Sequence, residues 1–230
     1  PLLAICRAAG VALIEDAAGA LGAAYKGRPV GGLGDMAIFS FNGNKTITAG
    51  GGGMVLLENE ETALSLRGLS AQARTGPDYR YSDIGFNFRM TNLNAGVLLA
   101  QLERLDDMIR DKKRIAAAYD AAIAGRADLR PMPRAGWGDS SCWLYSVRCR
   151  DEAAAQSLVL HMDSAQIDAR VFWRALSGQP PYADSPRRLT GVADGLSGTV
   201  VSLPSSSSLT DAQQARVIDA LNAWNAAQCR

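Results

Sequence analysis

Residues 11–19 read VALIEDAAG, a short apolar run that ends in two carboxylates, Glu15 and Asp16. Such a run is typical of a parallel strand that is buried on both faces of a sheet. The preceding residues 1–10, PLLAICRAAG, have the apolar spacing of a helix that ends at Gly10. A helix that leads directly into a buried strand predicts an α/β domain. Asp16 then lies at the carboxyl end of its strand, where open α/β sheets bind their ligands.

The pattern begins in the middle of such a domain, because a further strand would be expected before this helix. We therefore expect residues 1–230 to be the C-terminal part of a longer protein. Two more strands are predicted at 36–41 and 54–57, then a helix over 60–73 and an irregular loop over 74–88.

From Thr91 the apolar spacing is strongly helical, and we expect one long helix that continues to about residue 124. Thr91 or Asn92 is expected to cap its beginning. The Pro/Gly-containing segment 126–136, RADLRPMPRAG, then marks a domain boundary.

The boundary divides the chain into residues 1–125 and 126–230. The first part is predicted to be the C-terminal part of a large domain, with a mainly parallel sheet flanked by helices, plus the long connecting helix. The second part alternates strands and helices, which predicts a small C-terminal α/β domain whose last helix is capped by Thr210.

Composition excludes several classes of function. Of 230 residues, 24 are Lys or Arg and 23 are Asp or Glu, so no basic excess indicates a nucleic-acid partner. No apolar stretch is long enough to span a membrane. With one histidine, His161, and no C-x-x-C pair, we expect no metal site, and reduced buried thiols in a cytoplasmic protein. The cysteines are Cys6, Cys142, Cys149 and Cys229.

A second informative stretch, residues 40–53 (SFNGNKTITAGGGG), places Lys45 between an apolar strand and four glycines. A P-loop requires glycine directly before the lysine, but Asn44 lies there. A dinucleotide fingerprint requires a helix after the glycines, but a strand follows here. Taken alone, Lys45 is best explained as a surface lysine in a loop.

Asp16 changes this interpretation. A lysine that forms an imine and a carboxylate that holds a protonated ring nitrogen are the pair that pyridoxal phosphate requires. The hydroxyl of Ser40 could bind the cofactor phosphate, and the glycines would let the backbone pass close to the cofactor without Cβ clashes.

With these residues in this order, the chain resembles the DegT/DnrJ/EryC1/StrS family of sugar aminotransferases, which are fold-type I pyridoxal-phosphate enzymes. The resemblance covers the whole chain, but only the later part of a typical family member. It rests on motifs that occur in the family order: IEDAAGALG (14–22), KGRPVGGLGDMAIFSFNGNK (26–45) and IGFNFRMTNLNAGVLLAQLERLD (84–106).

The resemblance implies the roles of several residues. Lys45 matches the catalytic lysine that forms the Schiff base, and Asp16 matches the catalytic carboxylate that pairs with the pyridinium nitrogen. Ser40 matches a serine that binds the cofactor phosphate. Asn87 matches an asparagine that, in family dimers, reaches the cofactor phosphate of the neighbouring subunit.

Arg89 and Asn92 lie near that subunit interface in the resemblance. They are expected either to contact substrate or to cap and orient the following helix. Position 19 departs from the family pattern, which usually has Gln, Glu or His beside the ring hydroxyl of the cofactor. With Gly19, a water or another side chain takes that place, or the cofactor is held more weakly.

The segments FNGNK, TNLN, SSCWL and LPSS resemble the branch that acts on UDP-linked 4-keto-6-deoxy-N-acetylhexosamines. The resemblance thus implies a homodimer that moves an amino group from glutamate to the 4-keto carbon of a nucleotide sugar. The alternative is a catalytically silent or regulatory protein that keeps the fold. Gly19 favours this alternative, whereas Asp16, Ser40 and Lys45 favour the enzyme.

Overall fold

The computed structural model describes residues 1–225. By their internal packing these residues form two compact units. The first unit comprises residues 1–109 and 136–141, and the second comprises residues 110–135 and those from 142 onward. The expected division at residue 125 stays a prediction.

Both units contain helices and strands, so the expected α/β class is confirmed. The α-helices are α1 (Leu2–Ala8), α2 (Glu60–Ser70), α3 (Asn92–Leu102), α4 (Leu105–Ile123), α5 (Glu152–Ser164), α6 (Val192–Leu196) and α7 (Asp211–Ala223). The strands are β1 (Ile14–Asp16), β2 (Ala24–Tyr25), β3 (Arg28–Pro29), β4 (Met36–Ser40), β5 (Gly53–Leu57), β6 (Arg74–Thr75), β7 (Arg80–Tyr81), β8 (Leu129–Pro131), β9 (Gly138–Asp139), β10 (Tyr145–Cys149), β11 (Arg170–Val171) and β12 (Val200–Leu203).

The main sheet of the first unit has the order β1-β4-β5. β1 is parallel to β4, but β4 and β5 are antiparallel because the loop 41–52 joins them directly and reverses the chain. We expected a mainly parallel sheet, but β1, β4 and β5 form a mixed sheet. Ala37 and Phe39 alternate inward along β4 and pack with Phe41, Ile47 and Leu98 in one core.

The predicted single helix over residues 91–124 is wrong, because α3 ends at Leu102 and α4 begins at Leu105. The N–H of Arg104 donates to the carbonyl of Gln101 at 3.1 Å, three residues back, which tightens the last turn and interrupts the helix. The predicted cap is present: the Thr91 hydroxyl accepts the N–H of Asn94 at 3.3 Å. The predicted loop over 74–88 also contains a short hairpin of β6 and β7.

In the second unit, an antiparallel sheet of order β11-β12-β10-β8 packs one face against α5, which in turn contacts α7. Val147, Val201, Leu158 and Leu221 are buried in this core. Thr210 caps α7 as predicted, in a capping box with Gln213.

Lys112 of α4 is buried in the second unit, and its Nζ donates to the carbonyls of Trp143 at 3.0 Å and Ser205 at 2.9 Å. Burial lowers the pKa of Lys112, an effect that Cys142 partly opposes. The ammonium therefore joins three segments of the unit through backbone acceptors.

Among the described residues, Cys6, Cys142 and Cys149 form no disulfide, and only Cys149 is buried. Cys6 and Cys142 are partly exposed, so the expectation of buried thiols is wrong for these two, and Cys229 lies outside the described residues. Over residues 1–225, no helix combines the length and apolarity that crossing a bilayer requires. Within the same range, no three His, Cys, Asp or Glu side chains form a group suited to a metal ion.

Candidate active site

Asp16 and Ser40 lie at the carboxyl ends of two neighbouring parallel strands. Asp16 is opposite Ile38 in the register of β1 and β4, and Ser40 ends β4 just beyond that pair. The N–H of Ala17 donates to the carbonyl of Ile38 at 2.9 Å, which continues the pairing past Asp16. A carboxylate and a hydroxyl thus share the sheet edge where α/β folds bind ligands.

Glu15, the neighbour of Asp16, binds the backbone of a loop and does not face the same side of the sheet as Asp16. Successive side chains of a strand point to opposite faces, so the two carboxylates separate. The carboxylate of Glu15 accepts three N–H groups of the loop 31–34: Gly31 (3.0 Å), Leu33 (2.6 Å) and Gly34 (2.8 Å). Burial raises the pKa of Glu15, but these bonds and Arg28 outweigh it and hold the pKa below its usual value. Glu15 thereby fixes the loop between β3 and β4.

The loop that carries Lys45 is closed at its base by the backbone of Phe41. The N–H of Phe41 donates to the carbonyl of Gly52 at 2.9 Å, and the Phe41 carbonyl accepts the N–H of Ala49 at 3.0 Å. The hydroxyl of Thr48 donates to the same carbonyl at 3.0 Å. Phe41 and Ala49 are buried, so the loop is anchored in the core on both sides of Lys45.

Two amide side chains of α3 hold the same loop. The side-chain oxygen of Gln101 accepts the N–H of Thr48 at 2.9 Å, and the side-chain amide of Asn94 donates to the carbonyl of Ala49. Asn94 and Gln101 are at positions i and i+7, which lie on one face of a helix. No sequence motif indicated this contact. The only available signal was that Asn94 and Gln101 interrupt the apolar run of this helix.

The backbone conformation explains why glycines follow Lys45, which the sequence pattern did not indicate. Gly50 and Gly52 have φ values of +78° and +90°, which favour glycine. A Cβ on Gly53 would lie 2.7 Å from the carbonyl oxygen of Phe39, whereas a Cβ on Gly51 would meet nothing within 4 Å. Three of the four glycines are thus required by the path of the chain itself, apart from the expected clearance for a cofactor.

Lys45 is half-buried and lies close enough to Asp16 for the two charges to interact. Burial lowers the pKa of Lys45 and the charge of Asp16 raises it, with a net lowering. A lysine with a lowered pKa is a better base and nucleophile near neutral pH. A lysine amine beside a carboxylate, with a serine hydroxyl on the next strand, is the donor set that pyridoxal phosphate uses, so these residues fit that cofactor.

Asn87, Arg89 and Asn92 are exposed side chains of the same unit. Asn87 pairs with Ala71 in an isolated antiparallel bridge, which fixes its segment against the end of α2. Asn92 is the first residue of α3, and Thr91 rather than Asn92 caps the helix. Roles of these three residues at the cofactor or substrate stay predictions. Gly19 lies in the turn after β1, where the Ala20 N–H donates to the Ala17 carbonyl at 3.0 Å.

Comparisons with known proteins identify relatives of nearly the whole described chain. EpsN of Bacillus subtilis (strain 168), provisionally assigned as a pyridoxal phosphate-dependent aminotransferase, is 38% identical over 225 residues, which are 96% of this chain and 58% of EpsN. The GDP-perosamine synthase of Caulobacter vibrioides is 35% identical over 227 residues, 96% of this chain and 61% of that enzyme. The crystal structure of the aminotransferase TlmJ from Streptoalloteichus hindustanus superposes with a TM-score of 0.88 at 26% identity, covering 96% of this chain and 60% of TlmJ.

The chain thus spans 58–61% of the length of these relatives. A model of the DegT/DnrJ/EryC1/StrS aminotransferase family matches residues 1–222. The match confirms the resemblance, and pyridoxal phosphate is the cofactor of that family, as Asp16 and Lys45 predicted. This chain belongs to the DegT/DnrJ/EryC1/StrS aminotransferase family.

Proposed function

We propose that this chain supplies the catalytic lysine and carboxylate of a pyridoxal-phosphate-dependent sugar aminotransferase. The enzyme moves an amino group from glutamate to the 4-keto carbon of a nucleotide-linked 4-keto-6-deoxy sugar. The observation that carries the proposal is the proximity of Lys45 to Asp16 at the carboxyl edge of the β1–β4 pair. Membership in a sugar aminotransferase family supports the same reaction.

Bound pyridoxal phosphate supplies an electron sink that stabilises negative charge on the carbon next to the transferred nitrogen. Asp16 holds the proton on the ring nitrogen by its negative charge, and the Ser40 hydroxyl donates to the phosphate. The neutral Nζ of Lys45 removes the proton from the α-carbon of glutamate. In the second half of the reaction, Nζ delivers a proton to C4 of the sugar. A positioned acid–base group contributes about 10²–10⁴-fold to such rates.

Burial of Lys45 supports this role, because a lowered pKa increases the fraction of neutral amine that can accept the proton. The fixed loop supports it as well. Phe41, Asn94 and Gln101 hold the backbone on either side of Lys45, so that Nζ reaches the same region in each cycle.

Two observations point to different nucleotides, UDP or GDP, as the carrier of the sugar. The segments FNGNK and SSCWL resemble the branch that uses UDP-linked N-acetylated sugars, whereas relatives from Caulobacter vibrioides, Escherichia coli O157:H7 and Vibrio cholerae are GDP-perosamine synthases. We propose UDP, and we propose a homodimer in which Asn87 reaches the cofactor phosphate of the partner. In that arrangement Arg89 and Asn92 contact the substrate.

The experiment combines cofactor trapping with substrate comparison. Protein supplied with pyridoxal phosphate is reduced with borohydride and digested, and the modified lysine is located by mass spectrometry. We expect the label on Lys45 in the wild type and in the control Lys26→Ala, and no label at position 45 in Lys45→Ala. Turnover is then measured with UDP-linked and GDP-linked 4-keto-6-deoxy sugars, with glutamate as donor.

Three results would contradict parts of the proposal. Normal multiple turnover by Lys45→Ala would remove the assignment of the catalytic lysine. Wild-type protein without any label at Lys45 would favour the silent or regulatory alternative. Faster turnover of the GDP-linked sugar would replace UDP by GDP and leave the chemistry unchanged.

A further inference from the structure

The second unit carries an arginine pair on the face of its sheet that is opposite the core. Arg130 of β8 is directly opposite Arg148 of β10 in the antiparallel register. The next register pair, Leu129 and Cys149, is buried in the core. Because side chains alternate along a strand, the two arginines share the other face, and both are exposed.

The acids around this pair are already bound by other arginines. Both carboxylate oxygens of Asp128 accept from the guanidinium of Arg126, at 2.9 and 2.7 Å. Asp151 accepts from Arg150 at 2.7 Å. In the described part of the chain, Arg130 and Arg148 form no ion pair.

Two like charges directly opposite each other on a sheet face destabilise the pairing of the strands. The pair Arg130–Arg148 therefore carries an electrostatic cost, and among the described residues no carboxylate forms an ion pair with either arginine to offset it. A bound anion would remove this cost and would gain charge-assisted hydrogen bonds from both guanidinium groups.

The arginine pair lines a cavity of about 430 Å³, a size suited to a small ligand. The other walls come from the segment that leads into β8 and from the end of β10. Its lining residues are Ala127, Asp128, Arg130, Arg148, Cys149 and Arg150.

We propose that Arg130 and Arg148 form a binding site for a small phosphate-bearing anion. Each guanidinium presents a planar fork of N–H donors that matches two oxygens of a phosphate group. Two forks on neighbouring strands suit a ligand with two phosphate groups, such as a diphosphate, better than a single carboxylate, which can fill only one fork. The site uses no residue of the proposed active site, so the two proposals stand independently.

Inorganic pyrophosphate is the probe, titrated into the protein by calorimetry at constant ionic strength. The variants are Arg130→Gln and Arg148→Gln. The matched control is Arg170→Gln, which removes the same charge from the same face of the sheet, at a residue already paired with Asp168. Competition by succinate separates phosphate recognition from carboxylate recognition.

We expect the wild type and Arg170→Gln to bind pyrophosphate equally. Arg130→Gln and Arg148→Gln should each weaken binding at least about tenfold, the loss expected for one charge-assisted hydrogen bond. Without pyrophosphate, Arg148→Gln should melt at or above the wild-type temperature, because the like-charge repulsion is gone. That result also shows that weaker binding is not caused by misfolding.

Equal binding by the wild type and both pair variants would overturn the site, as would no binding by the wild type. Equal weakening in Arg130→Gln, Arg148→Gln and Arg170→Gln would overturn the specific site, because it would show that pyrophosphate responds only to the overall positive charge of this face. Displacement of pyrophosphate by an equal concentration of succinate would overturn the assignment to phosphate ligands.

Discussion

Asp16 raises the pKa of Lys45 while burial lowers it, and burial is the larger effect. The charge of this amine is therefore set by two opposing effects: its burial and the carboxylate at the end of β1. The two contributions can be separated by substitution without any bound cofactor.

Replacement of the carboxylate gives the first prediction. In cofactor-free Asp16→Asn, the ammonium of Lys45 loses its stabilising charge, so its pKa should fall further and the neutral fraction at pH 7–8 should rise. Acetylation of Lys45 should then be severalfold faster than in the wild type, whereas the proposed aminotransferase reaction should be lost. Peptide mass spectrometry after brief acetic anhydride treatment measures the rate, with Lys26 of the same sample as reference. A slower or unchanged rate at Lys45 would show that Asp16 does not act on this amine.

The second prediction concerns the contact between Gln101 and Thr48. Gln101→Met removes the acceptor at nearly constant side-chain length, whereas Gln101→Glu keeps an acceptor oxygen. Hydrogen exchange of the Thr48 amide should become about 5- to 30-fold faster in Gln101→Met, as expected for the loss of about 1–2 kcal/mol of local stability. Exchange in Gln101→Glu should stay near the wild-type rate. Equal protection in all three proteins would mean that α3 does not hold the loop.

The third prediction compares two glycines of the same run. Gly53→Ala places a methyl group against the Phe39 carbonyl oxygen, 2.7 Å away, and should lower the free energy of unfolding by about 1–3 kcal/mol. Gly51→Ala meets no atom within 4 Å and should change it by less than about 0.5 kcal/mol. Urea denaturation of both variants measures the difference. If Gly51→Ala were the more damaging substitution, the described path of the loop would be wrong.

The fourth prediction concerns the buried ammonium of the second unit. Lys112→Met deprives the carbonyls of Trp143 and Ser205 of their donor and should destabilise the protein by about 1–3 kcal/mol at pH 7. The folded-state pKa of Lys112 is below its ordinary value of 10.5, so the unfolded chain binds more protons between these two values. Wild-type stability should therefore rise with pH relative to Lys112→Met across that window. Denaturation series at several alkaline pH values check the slope, and a difference that stays constant with pH would contradict burial as its cause.

Local signals in the sequence predicted the elements that local chemistry determines. The caps at Thr91 and Thr210 follow from a hydroxyl directly before a helical pattern, and β1 follows from an apolar run that ends in carboxylates. The family motifs predicted Asp16 and Lys45, and the structure brings these two residues together.

Contacts between distant segments could not be predicted in this way. Gln101 and Thr48 are 53 residues apart, and a glutamine on a helix has many possible partners. The break between α3 and α4 could not be predicted either. The two residues between the helices are Glu103 and Arg104, which are both good helix formers, and neither is a glycine or a proline. At the break, the N–H of Arg104 donates to the carbonyl of Gln101, a bond that the residue types alone do not predict.

The two backbone hydrogen bonds of Phe41 fix the backbone of the loop that carries Lys45 and leave the side chain of Lys45 able to move. The Phe41 carbonyl and N–H tie the loop to Ala49 and Gly52, so the backbone that carries the lysine is already ordered before any ligand arrives. Only the four-carbon stem of the side chain then has to rearrange when the amine exchanges one partner for another. The entropy at stake in each exchange is that of one side chain, about 2 kcal/mol at most, and not that of a whole loop. The base that we propose at Lys45 can in this way repeat its movement in each turnover without unfolding its surroundings.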